Sequence, residues 1–494
     1  MKVRDLSRRT TGERSCSKIF HGSFLLALLL AAASASADPG PNVILVMADD
    51  MGWAQTGYYG HPIVKTPNLD DMASSGLRMD RFYAGAPSCT PTRATVLTGR
   101  TNDRTGAARV GDSINKQEKM LSTAFRDAGY ATAHFGKWHL NTVETPHHPL
   151  PGDDPHNPGA LGFDYFLSAT NQFNLNPELS RNGERVQLQG EGSEVLVREA
   201  LKFIAEQTAR DRPVFVVIWF ASPHRPFEAL EADAAPFMEL TDRVSADHHA
   251  EIATMDSAMG MLRKGLRKLK ITDNTLLWFT SDNGGLPNID YPAGCGEAGR
   301  ASGAPESVSL ADGCHMGVHP DSTGHLRGFK KDFYEGGLRV PGIIEWPAHI
   351  SPRVSNFPSS TLDIFPTLID VAGLAPDAIN TVHDGISLEP VFSAEPARRE
   401  QPLGFRASGG TMWMDNDWKL VNNGGKEDGK RADELFNIIG DPVEQQNLIN
   451  LYPEIAARMR KQLDAWNASV DRSMTGADYP EGIVLPTGRE SRSK

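Results

Sequence analysis

Asn42-Val43-Ile44-Leu45-Val46-Met47 is a nearly continuous apolar run that stops abruptly at Ala48-Asp49-Asp50. Such a run, rich in β-branched residues, predicts a strand buried on both faces, as in a parallel sheet. In open α/β sheets the ligand crevice lies beyond the carboxyl ends of the strands, so Asp49 and Asp50 fall where chemistry is expected. Two adjacent carboxylates repel each other. A divalent cation would relieve that repulsion, and a helix cap or turn is the other use of such a pair.

The same pattern recurs along the chain. Thr275 to Ser281 reads as a second buried strand and ends in Asp282-Asn283-Gly284-Gly285. Asp49, Asp50, Asp282 and Asn283 offer only oxygen ligands, which suits calcium or magnesium rather than zinc or copper, although Asp-Asn-Gly-Gly alone is an ordinary turn. Val214 to Phe220 leads into Ser222-Pro223-His224-Arg225-Pro226. That places His224 to protonate a leaving alcohol, while Arg225 needs no role beyond the surface. Ala131 to His139 is a short strand leading into a loop, with Lys137 and His139 two residues apart and therefore on one side of an extended segment. The lysine could hold an anion and the histidine carry a proton near neutral pH; a solvated lysine and a structural histidine are the alternative.

Cys89-Thr90-Pro91-Thr92-Arg93 continues to Thr98-Gly99-Arg100. A small nucleophilic side chain before a proline, followed by helix-compatible residues, places Cys89 at a helix entrance, where unpaired N–H groups attract anions. Arg93 and Arg100 add fixed positive charge for a tetrahedral oxyanion. Read without the rest of the chain, Cys89 serves equally well as a small buried hydrophobe.

Cys89, Pro91 and Arg93 followed by Thr98-Gly99-Arg100 resemble the signature of type I sulfatases, and the similarity extends across most of the chain. The resemblance implies an alkaline phosphatase-like α/β fold: a large mixed sheet flanked by helices, with a smaller C-terminal antiparallel sheet and helix. It implies that a maturation enzyme oxidises Cys89 to formylglycine. One calcium ion would then be held by Asp49, Asp50, Asp282 and Asn283 and completed by an oxygen on residue 89. Arg93, Lys137 and Lys330 would neutralise the sulfate, His224 would protonate the leaving oxygen, and His139 would release sulfate from the covalent intermediate. Lys330 stands in Leu326 to Gly337, five residues before Glu335, and departs from the family pattern in being followed by Lys331, where a small residue is more usual. The implied substrate is a sulfated carbohydrate or an aryl sulfate.

Composition frames these expectations. The 494 residues are 39% hydrophobic, enough for one large domain and a smaller one. Lys2, Arg4, Arg8, Arg9, Arg14 and Lys18 precede the apolar run Phe24 to Ala33 and an Ala35-Ser36-Ala37 cleavage pattern. This predicts a signal peptide over 1–37, too short in its apolar part to span a bilayer, and an exported, periplasmic or extracellular protein. Without that segment the chain carries 44 basic against 60 acidic residues, a net charge of about −16. Such a surface argues against nucleic acid and against membrane binding through basic patches. A polyanion would have to be met by a local basic pocket. Cys16 leaves with the signal, and an exported chain permits Cys295 and Cys314 to pair.

The remaining stretches organise the chain. The loop after Asn141 holds His147, His148 and His156, expected to be exposed. Ile252, Met255, Met259, Leu262, Leu266 and Leu269 repeat at helical spacing and predict one amphipathic helix with core-filling methionines. Residues 284–324, with His315, His319 and His325 nearby, read as a long structured loop and a candidate wall for substrate choice. A catalytic domain over 38–395 gives way to a C-terminal subdomain over 396–494, with short strands and a helix from Pro453 to Trp466. Two rivals stand beside a sulfatase: a phosphodiesterase or phosphonate hydrolase of the same superfamily, and a catalytically silent sulfated-glycan-binding protein.

Overall fold

The computed structural model describes residues 40–141, 149–239, 243–286, 322–424 and 433–486. The segment 1–37, Cys16, His147, His148, Cys295, Cys314, His315 and His319 lie outside the described residues.

Among the described residues, ten strands form a mixed sheet in the order Arg353–Ser355, Leu77–Met79, Gly342–Glu345, Thr275–Ser281, Asn42–Ala48, Val214–Trp219, Ala131–Lys137, Tyr165–Ala169, Glu178–Arg181, Glu184–Gln187. The run from Thr275–Ser281 to Tyr165–Ala169 is parallel. Gly342–Glu345 joins it antiparallel. The apolar runs are explained by burial on both faces. Val43, Leu45 and Met47 enter one core and Ile44, Val46 and Ala48 the other, none more than 3% exposed. Burying each such large side chain contributes about 1.5–3 kcal/mol.

Helices Cys89–Thr98, Leu121–Asp127 and Ile364–Ala372 supply the first core. Pro67–Ser75, Gly192–Thr208 and Arg243–Leu269 supply the second. Met255 and Met259 are buried core residues, as their spacing predicts. Their helix starts earlier than the large apolar repeat does, because Ala246 and Ala250 continue its buried face with side chains too small to signal it.

The C-terminal sheet is antiparallel, in the order Leu403–Ala407, Gly410–Asp415, Trp418–Asn422, Glu434–Asn437. One face takes Trp413, Leu420 and Leu435 against Ala456, Met459 and Leu463 of the last helix. The other packs Phe405, Met412, Met414 and Val421 against Phe333, Tyr334 and Leu338. The last helix runs to Met474 rather than Trp466, since Val470 and Ser473 remain buried beyond the tryptophan. His156 corrects an expectation: it is fully buried, and its carbonyl accepts the Trp138 indole N–H at 2.6 Å. Among the described residues no helix is long and apolar enough to cross a membrane.

Candidate active site

Register brings the polar strand ends to one level. Ala48 lies opposite Ser281, while Met47 and Gly136 both lie opposite Trp219. The ladder continues one step further, with the Asp49 amide donating to the Ser222 carbonyl at 3.0 Å and the Asp282 amide to the Ala48 carbonyl at 3.1 Å. Asp50 then turns into the left-handed region at φ 65°. Its amide donates to Asp282 Oδ1 at 3.1 Å, and Asn283 Nδ2 donates to Asp50 Oδ1 at 2.7 Å.

Cys89 is the first residue of its helix and is 2% exposed. Pro91 sits in the first turn, where a missing N–H costs no intrahelical bond. Gly99 ends the helix at φ 66°, a conformation that a side chain disfavours, with its amide bonded to the Thr95 carbonyl. Arg93 lies one turn after Cys89 on the same helix face. Its Nη2 donates to Asp282 Oδ2 at 2.7 Å and lies 3.5 Å from Asp49 Oδ1, while Nη1 donates to the Lys137 carbonyl. Its guanidinium packs over the Trp219 ring, 5.0 Å from the centroid.

Lys137 Nζ donates to Asp49 Oδ2 at 2.6 Å. Lys330 Nζ lies 2.6 and 2.8 Å from the two Asp50 oxygens and 3.6 Å from Cys89 Sγ. Its neighbour Lys331 is exposed, so of the two lysines Lys330 is the one brought into the cluster. His224 Nε2 stands 3.5 Å from Asp50 Oδ2. His139 is 3% exposed, and its ring lies against Cys89, near enough for each to act on the other's ionisation. Arg100 does not join them. It bonds Glu118 Oε1 at 2.7 Å and Asp478, tying the end of the helix to the C-terminal segment rather than to an anion site.

Three carboxylates thus face three fixed cations in a buried space. Burial opposes ionisation of Cys89, but Lys137 and Lys330 outweigh it and hold the thiol well below its usual range. Burial, with Lys137, lowers His139 to about 4. Burial would also lower His224, yet Asp49 and Asp50 prevail and raise it. Two histidines pushed in opposite directions are suited to be a neutral base and a charged acid.

One ligand atom from each of Asp49, Asp50, Cys89 and His224 lies within 4.8 Å of the others. Asp49 Oδ1 and Asn283 Oδ1 are buried without a hydrogen-bond partner. Unpaired buried acceptors are costly, and a hard cation satisfies both. Asp282 accepts from the Asp50 amide and from Arg93, one bond on each oxygen, which leaves a lone pair on each for a cation. The donor set therefore fits a single oxygen-seeking divalent ion. Such an ion would add positive charge to the cluster, on the side that an anionic ester would meet.

Sequence reasoning missed the residues that hold these groups in place. The Thr90 hydroxyl donates to the His139 carbonyl at 2.8 Å and accepts the Gly111 amide. Gln172 Nε2 donates to the His224 carbonyl at 2.7 Å. Thr90 lay inside the quoted motif, but no local pattern marks Gln172.

The model of the sulfatase family matches residues 41–374. The chain belongs to the sulfatase family. It is therefore a sulfuric ester hydrolase with the alkaline phosphatase-like fold. This sulfatase is 32% identical over 404 residues to N-acetylgalactosamine-6-sulfatase of Canis lupus familiaris, covering 74% of this chain and 69% of that protein. It is 31% identical over 419 residues to arylsulfatase A of Homo sapiens, covering 78% and 73%. The solved structure of Ps i-CgsB in complex with k-i-k-neocarrahexaose matches with a TM-score of 0.71 and 25% identity, covering 86% of this sulfatase and 92% of that chain.

Proposed function

We propose that this sulfatase is an exported enzyme that hydrolyses sulfate monoesters of a sulfated glycan. Its Cys89 is matured to formylglycine by a separate enzyme, and its calcium ion is held by Asp49, Asp50, Asp282, Asn283 and the oxygen of residue 89. The observation that carries this reading is a pair of buried oxygens without a hydrogen bond, Asn283 Oδ1 and the Asp49 Oδ1 that lies 3.5 Å from Arg93 Nη2, beside a cysteine under the charges of Lys137, Lys330 and Arg93.

When present, the formylglycine hydrate supplies a nucleophilic oxygen and the calcium ion supplies Lewis acidity. The chain's own side chains do the rest. Arg93, Lys137 and Lys330 bind the sulfate oxygens and neutralise charge that develops on them. His224, raised by Asp49 and Asp50, carries the proton for the leaving oxygen. His139, neutral above about pH 4, accepts a proton from residue 89 when sulfate is expelled. The signal over 1–37, the catalytic domain over 38–395 and the subdomain over 396–494 complete the reading.

A glycan is favoured by three exposed cations on loops that carry site residues or touch the Cys89 helix. Arg225 follows His224. Lys331 follows Lys330, and its amide donates to the Pro87 carbonyl at 2.9 Å. Arg109 precedes the Gly111 turn against Thr90. On a chain of net charge −12, such cations suit a substrate with anionic groups beyond the scissile sulfate. Sulfate release from a panel of sulfated glycans, measured by ion chromatography beside phosphodiester turnover, tests the reading. Sulfate release that disappears in Cys89→Ala is expected. Preferential phosphodiester cleavage, or glycan binding with no turnover by matured protein, would overturn it.

A further inference from the structure

Lys330 lies in a turn held from three sides. Its own amide donates to the Gly285 carbonyl at 3.0 Å, beside the Asp282 strand end, and the Lys331 amide donates to the Pro87 carbonyl at 2.9 Å, two residues before Cys89. Lys331 adopts φ 84°, so the chain reverses sharply at this point. The third hold comes from the C-terminal sheet. Asn423, directly after the strand Trp418–Asn422, accepts the Phe333 amide on Oδ1 at 2.6 Å and donates through Nδ2 to Asp332 Oδ1 at 2.8 Å. Asp332 Oδ2 in turn accepts the Phe329 amide at 3.0 Å. One amide side chain thereby closes the turn Phe329 to Phe333 around Lys330.

Lys419, on the same strand, grips the next part of this segment. Its Nζ lies 2.9 Å from Glu335 Oε1 and 2.9 Å from Glu444 Oε1, and all three side chains are fully buried. The strand therefore holds residues 329–335 at two points, one an inaccessible ion cluster and the other the half-buried Asn423. The first is a foundation whose loss threatens folding. The second touches only the turn that aims the lysine.

We infer that Asn423 is a positioning residue for sulfate recognition: through Asp332 and the Phe333 amide it fixes the turn that directs Lys330 toward Asp50 and Cys89. The C-terminal sheet thus sets the geometry of the anion pocket without touching substrate. The inference rests on the assignment of Lys330 to the sulfate. The chemistry of the contact is specific, because an asparagine donates to the carboxylate and accepts from the amide at once, whereas an aspartate would set two carboxylates against each other.

The test uses the full-length matured enzyme, with inorganic sulfate binding followed by calorimetry and an aryl sulfate assayed for turnover. Asn423→Ala is expected to lower kcat/KM by on the order of 10- to 100-fold and to weaken sulfate binding, with a melting temperature close to the parent's. In a Lys330→Ala background the same change is expected to leave sulfate affinity where Lys330→Ala put it. The exchange Asp332→Asn with Asn423→Asp restores every donor and acceptor and is expected to recover both readouts. Parental kcat/KM in Asn423→Ala, a loss of affinity additive to that of Lys330→Ala, or no recovery in the exchanged pair would overturn the inference. Unchanged sulfate affinity in Lys330→Ala alone would instead remove the reading of Lys330 on which it stands.

Discussion

Lys137 Nζ donates to Asp49 Oδ2 at 2.6 Å although the two residues end strands separated by a third. Neighbouring strands lie roughly 4.8 Å apart, so the lysine bridges about 10 Å of sheet edge. Between them runs Val214–Trp219, whose continuation carries His224 and whose Trp219 ring lies under Arg93. Parallel strands ending at one level thus turn a sheet edge into a compact cluster of opposite charges.

The opposed histidines give a pH profile. His139, lowered to about 4, is a competent base once pH rises above that value. His224, raised by Asp49 and Asp50, stays protonated beyond the ordinary histidine range and loses its proton only as pH rises through its elevated pKa. The kcat/KM profile should therefore be bell-shaped, with His139 setting the acid limb and His224 the alkaline limb. His224→Gln should abolish the alkaline limb and slow poor alkoxide leaving groups by about 100-fold or more, while sparing activated aryl sulfates. Equal losses on both substrate types would assign the leaving-group proton to another residue.

Metal binding can be read without turnover. Calcium at about 100-fold over its Kd should stabilise the fold by about 2.7 kcal/mol, seen as a rise in melting temperature that a chelator reverses. Asn283→Ala removes an unpartnered oxygen and should lose most of this calcium shift. A calcium response identical to the parent's would exclude Asn283 as a ligand.

Much of this site was legible in the chain because each group follows its own buried strand or stands at a helix start. Asp49, Asp282 and His224 follow the sudden end of an apolar run, Lys137 ends a short strand two residues before His139, and Cys89 is marked by the proline two residues on. The amphipathic helix around Met255 was equally plain. What stayed hidden depends on contacts between distant residues. Gln172 meets His224 across 52 positions, Lys419 meets Glu335 across 84, and Arg100 turns to Glu118 and Asp478 instead of toward Cys89. No local periodicity records such pairings. The choice between Lys330 and Lys331 was likewise a matter of backbone direction, set by the left-handed turn at Lys331.

The buried ion cluster makes a stability prediction. Burial would raise the Glu335 carboxyl, but Lys419 and then Arg339 hold it down to about 2, below its ordinary 4.5. A depressed carboxyl stabilises the fold above its unfolded pKa and loses that contribution as pH falls from about 4.5 toward 2. Acid unfolding should therefore gain from protonation of Glu335 in that window. Lys419→Met strands Glu335 and Glu444 without their shared cation and should cost about 3–5 kcal/mol at neutral pH, measured by urea titration. A loss under 1 kcal/mol would show that the cluster relaxes around the gap.

Exposed Arg225 beside His224 predicts how substrates are sorted. Arg225→Gln should raise KM by about tenfold for a glycan carrying a second anionic group and leave a neutral-leaving-group ester unchanged, with the difference fading at high salt. Identical KM values for both substrates in the variant would place the second anion elsewhere.

The account turns on residue 89. Peptide mass spectrometry of protein made in a host known to mature other sulfatases, paired with sulfate release by the same preparation, tests it most directly. The predicted result is the mass of an aldehyde in place of the Cys89 thiol, with activity proportional to its occupancy. Full sulfatase activity from protein whose Cys89 is wholly unmodified would contradict the account.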